Sequence, residues 1–181
     1  MPSQKRSLNV LDLLAILTEL GDLRDSIIDK VYTMGGSLLL RFRKGSEKYF
    51  VIANSHRFGL TSYVLEHGGA EGVTSLRKLI EGSRLRSLEL LNFDRIVKLS
   101  FDDGYLVIEL LEPWNVVYVG NDGKVKWVLR AYRGGKDRVV NVGLEYKPPP
   151  QNFVKPIDDR ESVIKALWSY DTIGRAIARG G

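Results

Sequence analysis

Residues 95–111 read RIVKLSFDDGYLVIELL. Two runs rich in β-branched and aromatic residues flank Asp102-Asp103-Gly104. Asp-Gly supplies the positive backbone φ that a tight hairpin needs, so the segment predicts two antiparallel strands, 95–101 and 105–111. The same pattern repeats on both sides. Residues 115–119 and 124–131 flank Gly120-Asn121-Asp122-Gly123, and Gly134-Gly135 breaks the chain again. Upstream, strands are predicted over 26–33, 37–43 and 48–54, with Lys44-Gly45-Ser46-Glu47 as a hairpin turn, and residues 56–61 add a short strand. Residues 84–92 are ambiguous between strand and other structure. Only two segments before residue 147 show helical spacing. In residues 9–20, Val10, Leu13, Leu14, Leu17 and Leu20 form one apolar face. Asn9 is a good N-cap there, Asp12 three residues later makes a capping-box-like pair, and Gly21 ends the helix. Residues 74–81 form a shorter helix, with Thr74 as cap and Gly82 as stop. The expected fold is α+β, an antiparallel β-sandwich or partly open barrel with flanking helices.

The run Lys147-Pro148-Pro149-Pro150 marks a boundary, because consecutive prolines suit neither a helix interior nor a central strand. Helices are expected beyond it over 159–168 and 172–179. They are too little to bury a core alone, so this second part is expected to be cut off. There is no internal repeat and no low-complexity tract.

The 181 residues suffice for an unaided core. Lys and Arg number 27 against 22 Asp and Glu, a net charge of +5 that favours polyanionic partners. The chain has no cysteine. That excludes disulfides, thiolate catalysis and cysteine metal centres, and it fits a reducing cytosol or a thermophile avoiding labile residues. No apolar segment reaches the roughly 20 residues of a membrane span, and no signal-peptide core follows the basic start. A cytoplasmic protein without a membrane partner is expected.

Signatures of catalysis are thin. His56 and His67 are the two imidazoles, too few for a zinc site without cysteine. Gly68-Gly69-Ala70-Glu71-Gly72 lacks the spacing of a dinucleotide-binding loop and reads as a loop. Asp102-Asp103 reads as a turn and Ser55-His56 as a surface loop, not as a catalytic pair. No cofactor is implied.

Several segments in order carry a resemblance. Residues 7–16 (SLNVLDLLAI) look like the opening helix of the NFACT family, with its aspartate at Asp12. Ile28-Asp29-Lys30-Val31-Tyr32 is similar to that family's VDKIY strand, and residues 76–82 to its LRKxLxG helix. Phe93-Asp94-Arg95-Ile96-Val97 matches xDRIV. Residues 112–118 resemble its GNIxL strand, with Pro113-Trp114 where a glycine is usual. Residues 138–146 and the prolines after them resemble RxVxxGxxYxxPP. The chain therefore resembles NFACT proteins, the group that includes RqcH, NEMF and the fibronectin-binding protein A-like factors. Residues 1–150 would be the N-terminal domain, and residues 151–181 the start of a truncated helix–hairpin–helix domain.

This resemblance implies a fold like the N-terminal domain of formamidopyrimidine-DNA glycosylases. It implies ribosome-associated quality control: binding of tRNA and of large ribosomal subunits that still carry peptidyl-tRNA, in support of C-terminal alanine or alanine/threonine tailing. The ribosome does the chemistry, so the chain is expected to be no enzyme and to hold no catalytic residue. The tRNA-binding residues carried over by motif are Asp12, Asp94 and Arg95. A guanidinium takes phosphate or a guanine edge bidentately, and a carboxylate can accept from a base or a ribose hydroxyl. The structural alternatives are a helix cap for Asp12 and an internal ion pair for Asp94 and Arg95.

Two basic clusters offer RNA-phosphate contacts, Arg77, Lys78, Arg84 and Arg86 in one, Arg130, Arg133, Lys136 and Arg138 in the other; a solvated basic surface is the alternative. Tyr32, Tyr63 and Trp114 are candidates for stacking on bases, with core packing favoured for Tyr32. Two rival functions stand beside this one. A DNA glycosylase/lyase would use an exposed N-terminal proline followed by an acid, but Ser3 follows Pro2 here. A fibronectin-binding-like protein module is the other.

Overall fold

The computed structural model describes residues 8–62, 69–134 and 138–150. The chain divides into two units, Met1–Pro149 and Pro150–Gly181. The helices expected over 159–168 and 172–179 lie outside the described residues, as do Pro2, Tyr63, His67 and Lys136.

Helix α1 spans Val10–Glu19 and begins with both halves of a capping box. The Asp12 N–H donates to Asn9 Oδ1 at 2.8 Å, and the Asn9 N–H donates to Asp12 Oδ2 at 3.1 Å. Two of the orphan donors at the helix start are thereby satisfied. Gly21 does not stop the chain's winding. A turn of 3-10 helix, Leu20–Leu23, runs through it and drives Leu20 and Leu23 into the core.

Strands β1 (Ile27–Met34), β2 (Ser37–Lys44), β3 (Glu47–Ala53) and β4 (Phe58–Thr61) form an antiparallel meander. Gly45-Ser46 closes the β2–β3 hairpin between the paired residues Lys44 and Glu47. Where β1 pairs with β2 the register slips at Asp29, whose carboxylate takes Arg41 on both oxygens at 2.8 and 3.0 Å.

Helix α2 spans Thr74–Ile80. Thr74 is its first helical residue and not its cap: Val73 holds that place, and the Thr74 hydroxyl donates back to the Ala70 carbonyl. Glycine at 82 does follow the helix, at φ +90°.

The second sheet is a five-stranded meander of β5 (Ser87–Leu90), β6 (Ile96–Ser100), β7 (Gly104–Glu109), β8 (Asn115–Gly120) and β9 (Val125–Val128). The ambiguous segment 84–92 thus supplies an edge strand. One core joins α1, α2 and the facing sides of both sheets, with Leu13, Phe42, Val51 and Leu76 packed in the same cluster as Val97, Leu106, Ile108, Val116 and Trp127. Two antiparallel sheets share this core and no closed barrel forms. Trp114 is 6% exposed inside it, so its place is packing and not base stacking.

The second sheet is also covered on its outer face. Ile96, Val107, Val117, Val119 and Val125 cluster there with Val140 and Tyr146. All six residues of β8 are buried, which explains its unbroken apolar run. The covering residues are Val140, the last of β11 (Arg138–Val140), and Tyr146 beyond it; β11 pairs with β10 (Tyr132–Gly134). Gly134 is the last residue of β10, paired with Arg138, and Gly135 lies outside the described residues.

Under the cover lies Glu109, 2% exposed. Arg138 donates to both of its oxygens, through Nη1 to Oε1 at 3.2 Å and through Nη2 to Oε2. The Tyr146 hydroxyl donates to Oε2 at 2.6 Å. Burial first, and then Glu109, push the Tyr146 phenol far above its ordinary range. The motif that spaces Arg138 and Tyr146 eight residues apart therefore brings both to one buried carboxylate. Removing one partner of such a pair leaves an uncompensated charge. Arg138→Ala is expected to lower the unfolding free energy by about 3–5 kcal/mol, and Tyr146→Phe by about 1–3 kcal/mol. Urea denaturation followed by tryptophan emission measures both. A loss for Arg138→Ala no larger than for the exposed-site control Arg133→Ala would remove the buried pair from the account.

Candidate nucleic-acid interface

The Asp94-Arg95 motif sits in the connection from β5 to β6. The strands pair up to Leu90 and Val97, and the Leu91 N–H reaches the Ile96 carbonyl at 2.8 Å. Residues 92–95 must then reverse the chain. The Asp94 N–H donates to the Leu91 carbonyl at 3.0 Å, closing a four-residue turn. Its two central residues, Asn92 and Phe93, have φ of +55° and +52°, the sign pattern of a type I′ turn. Asparagine suits that conformation. Phenylalanine does not, since a left-handed L-residue costs roughly 1–2 kcal/mol.

Asp94 locks the turn a second time by accepting the Arg95 N–H on Oδ1 at 2.7 Å. The Arg95 carbonyl accepts from the Leu110 N–H at 2.9 Å, so its backbone is held to the end of β7. No ion pair among the described residues includes Asp94 or Arg95. The guanidinium is half-buried and has no ion pair among the described residues, one residue before β6 begins. Phe93 stands beside it, 78% exposed. In the sequence Phe93 stands only as the first residue of the xDRIV-like motif, with no role of its own.

Asp12 is placed by its capping box at the start of α1. No hydrogen bond or ion pair among the described residues joins it to Asp94 or Arg95. Helix α1 packs against β4 and β5, the strand that leads into the turn.

The structure sorts the basic residues by what holds them. Arg77 reaches from α2 to β1, with Nε on the Val31 carbonyl at 2.7 Å, its Cζ 5.3 Å from the centre of the Tyr32 ring, and Glu81 of its own turn at 3.6 Å. Arg138 is held by Glu109. Arg86 is paired with Asp102 at 2.6 Å, and this hydrogen bond keeps the Asp102 carboxyl below its ordinary range. Arg84 donates to the Asp25 carbonyl at 3.1 Å but stays exposed. Lys78, Arg130 and Arg133 are exposed, and none is in an ion pair among the described residues. Asn115 is buried at 5% and ties β8 to the next segment, donating to the Arg130 carbonyl at 2.8 Å and accepting the Arg130 N–H at 3.0 Å. Among the described residues no group of three or more His, Cys, Asp or Glu could hold a metal ion. None of their helices is long and apolar enough to cross a membrane.

Comparison with known proteins gives this geometry a context. The family model for NFACT N-terminal and middle domains matches residues 9–179. Ribosome quality control complex subunit 2 of Schizosaccharomyces pombe is 31% identical over 83% of this chain and 16% of its own length. The archaeal Rqc2 homolog aRqcH of Methanocaldococcus jannaschii is 26% identical over 84% of this chain and 25% of its own. This chain thus spans a quarter or less of either relative. Among solved structures, the N-terminal domain of the fibronectin-binding protein PavA from Streptococcus pneumoniae superposes with a TM-score of 0.72. It is 21% identical, covering 86% of this chain and 68% of that one, a likeness of fold.

The strain at Phe93 has a direct test. Phe93→Gly removes the left-handed penalty while adding chain entropy of about 0.5–1 kcal/mol, so thermal stability is expected to stay level or rise. Phe93→Val, β-branched at positive φ, is expected to be less stable than wild type by about 1 kcal/mol or more. Thermal melts by circular dichroism would show it, and a marked loss with glycine would mean that the ring is a packing residue.

Proposed function

The chain belongs to the NFACT family, and from that premise we propose that it recognises tRNA on stalled large ribosomal subunits in ribosome-associated quality control. The support is threefold: the names of the relatives, a net charge of +5, and a turn arginine with no ion pair among the described residues. The last of these carries the reading. A guanidinium with an internal carboxylate partner, like that of Arg138, is committed to the fold; Arg95 has no ion pair among the described residues and follows a carboxylate that rigidifies its turn, so it is available to a ligand.

In this proposal residues 1–150 act as the N-terminal NFACT domain, a cytosolic binding module. Arg95 takes a phosphate or a base edge as a planar fork. Asp94 holds the turn through Oδ1 and presents its second oxygen to a base or a ribose hydroxyl. Asp12 works from the start of α1. Lys78, Arg84 and Arg133 contribute phosphate contacts that position the RNA without reading it. Arg77 and Arg138 are left to the fold by their internal partners. The domain contributes no bond making: the ribosome's peptidyl transferase extends the nascent chain while the module keeps tRNA and the peptidyl-tRNA-bearing subunit together.

Fluorescence anisotropy of labelled tRNA titrated with the 181-residue chain tests this. About four phosphate-contacting cations predict a log–log salt slope near −3, hence a loss of affinity of roughly 50-fold between 50 and 200 mM salt. Arg95→Ala is expected to weaken binding by about 1–3 kcal/mol and to reduce the slope by about 1. Asp94→Ala/Arg95→Ala should lose preference for tRNA over an unrelated RNA. Salt-insensitive binding, or a double variant that binds as wild type, would defeat the assignment of this site. No binding by well-folded wild-type chain would place recognition elsewhere in the longer relatives.

A further inference from the structure

We propose that Phe93 is a stacking platform for one unpaired base of the bound RNA, so that the turn selects a looped or single-stranded segment over a duplex. This rests on the RNA-binding reading above and extends it to the form of RNA that the site takes.

Phe93 is the most exposed large apolar residue among those described, at 78%; Leu60, Leu79, Val139, Val142 and Leu144 range from 37% to 57%. An outward phenyl ring loses the hydrophobic stabilisation that burial would give it. It is also held at φ +52°, where glycine is favoured. Two unfavourable choices coincide at one residue, and the surrounding turn enforces both. The Asp94 N–H closes the turn on Leu91, and the Asp94 carboxylate accepts from the Arg95 N–H. Such over-determined strain clusters at ligand-binding positions.

The chemistry around the ring points to its ligand. A docking surface for a folded protein is a contiguous apolar patch. Here the ring's neighbours in the turn are Asn92, Asp94 and Arg95, all polar. An exposed ring followed in the same turn by a carboxylate and a planar cation carries the chemistry one nucleotide needs: a base on the ring, a phosphate or base edge on the guanidinium. A base inside a duplex has both faces covered by its neighbours, so the ring can only meet one that is unstacked. Stacking accepts any base, because every base has a π face.

The test uses the 181-residue chain with three probes: labelled tRNA, a short single-stranded RNA and a long RNA duplex, in which the two end pairs that leave a face open are a small fraction of the bases. Phe93→Leu and Phe93→Gly are expected to weaken binding of tRNA and single strand by about 10-fold and to leave duplex binding unchanged. Their salt slope should match wild type, since stacking releases no counterions, whereas Arg95→Ala flattens the slope. Phe93→Trp should bind as wild type, and its added emission should be quenched by tRNA and by single strand but not by duplex. Wild-type affinity in both Phe93→Leu and Phe93→Gly, or an unquenched Phe93→Trp at saturating tRNA, would overturn the stacking role while Arg95→Ala still reports an RNA site. If the wild-type chain binds none of the three RNAs, the RNA reading falls and the stacking role falls with it.

Discussion

A carboxylate inside the protein is stable only where its charge is met, and Glu109 is met by Arg138 and Tyr146. That requirement shapes much of the domain. Arg138 and Tyr146 come from the last described part of the unit, 29 and 37 residues beyond Glu109 in the chain. To reach it they must lie across the outer face of the second sheet. Doing so they lay Val140 and the Tyr146 ring over Val107, Val117 and Val119. The polar contact thus sets the registry of an apolar cover. With its other face packed on α1, α2 and the first sheet, the second sheet becomes a rigid slab.

Rigidity of that slab is what allows a strained turn to persist at its edge. The β5–β6 connection is anchored on one side by the strand pair and on the other by the bond from Leu110 to the Arg95 carbonyl. A flexible loop would relax Phe93 out of its left-handed conformation. A short turn between two fixed strands cannot. Asp94 and Asp12 show a related economy. Both carboxylates satisfy backbone N–H groups, one in a turn and one in a capping box, and such groups hold their own geometry before any ligand arrives.

The basic surface divides along physical lines that charge counting misses. Arg41, Arg77, Arg86 and Arg138 each have a carboxylate partner, and for Arg138 that partner is buried. Lys78, Arg95, Arg130 and Arg133 have none among the described residues. A net charge of +5 sums over both kinds of residue, while cations of the second kind can meet a polyanion without breaking an ion pair.

Elements whose cause is local were legible from the amino-acid order. The α1 capping box needs residues three apart, and the 44–47 hairpin needs only its own turn residues. The hairpin around 102–104 forms where it is expected but not through a positive φ at Gly104, which has none; a Cβ there would clash with the Val119 carbonyl oxygen, so that glycine answers to packing against β8. Thr74 misled because hydroxyl residues suit a cap by type, while the backbone at Val73 decided where the helix starts. Residues 84–92 stayed ambiguous because an edge strand paired on one side, half-buried and half-exposed, has no strict alternation to show. Tertiary structure alone decided that Trp114 belongs to the core, that Arg77 and Arg138 serve the fold, and that Phe93 faces out beside Arg95. The reason is distance along the chain: Arg77 meets the Val31 carbonyl across 46 residues and Arg138 meets Glu109 across 29, and no local pattern encodes which partner a side chain will find once distant segments pack.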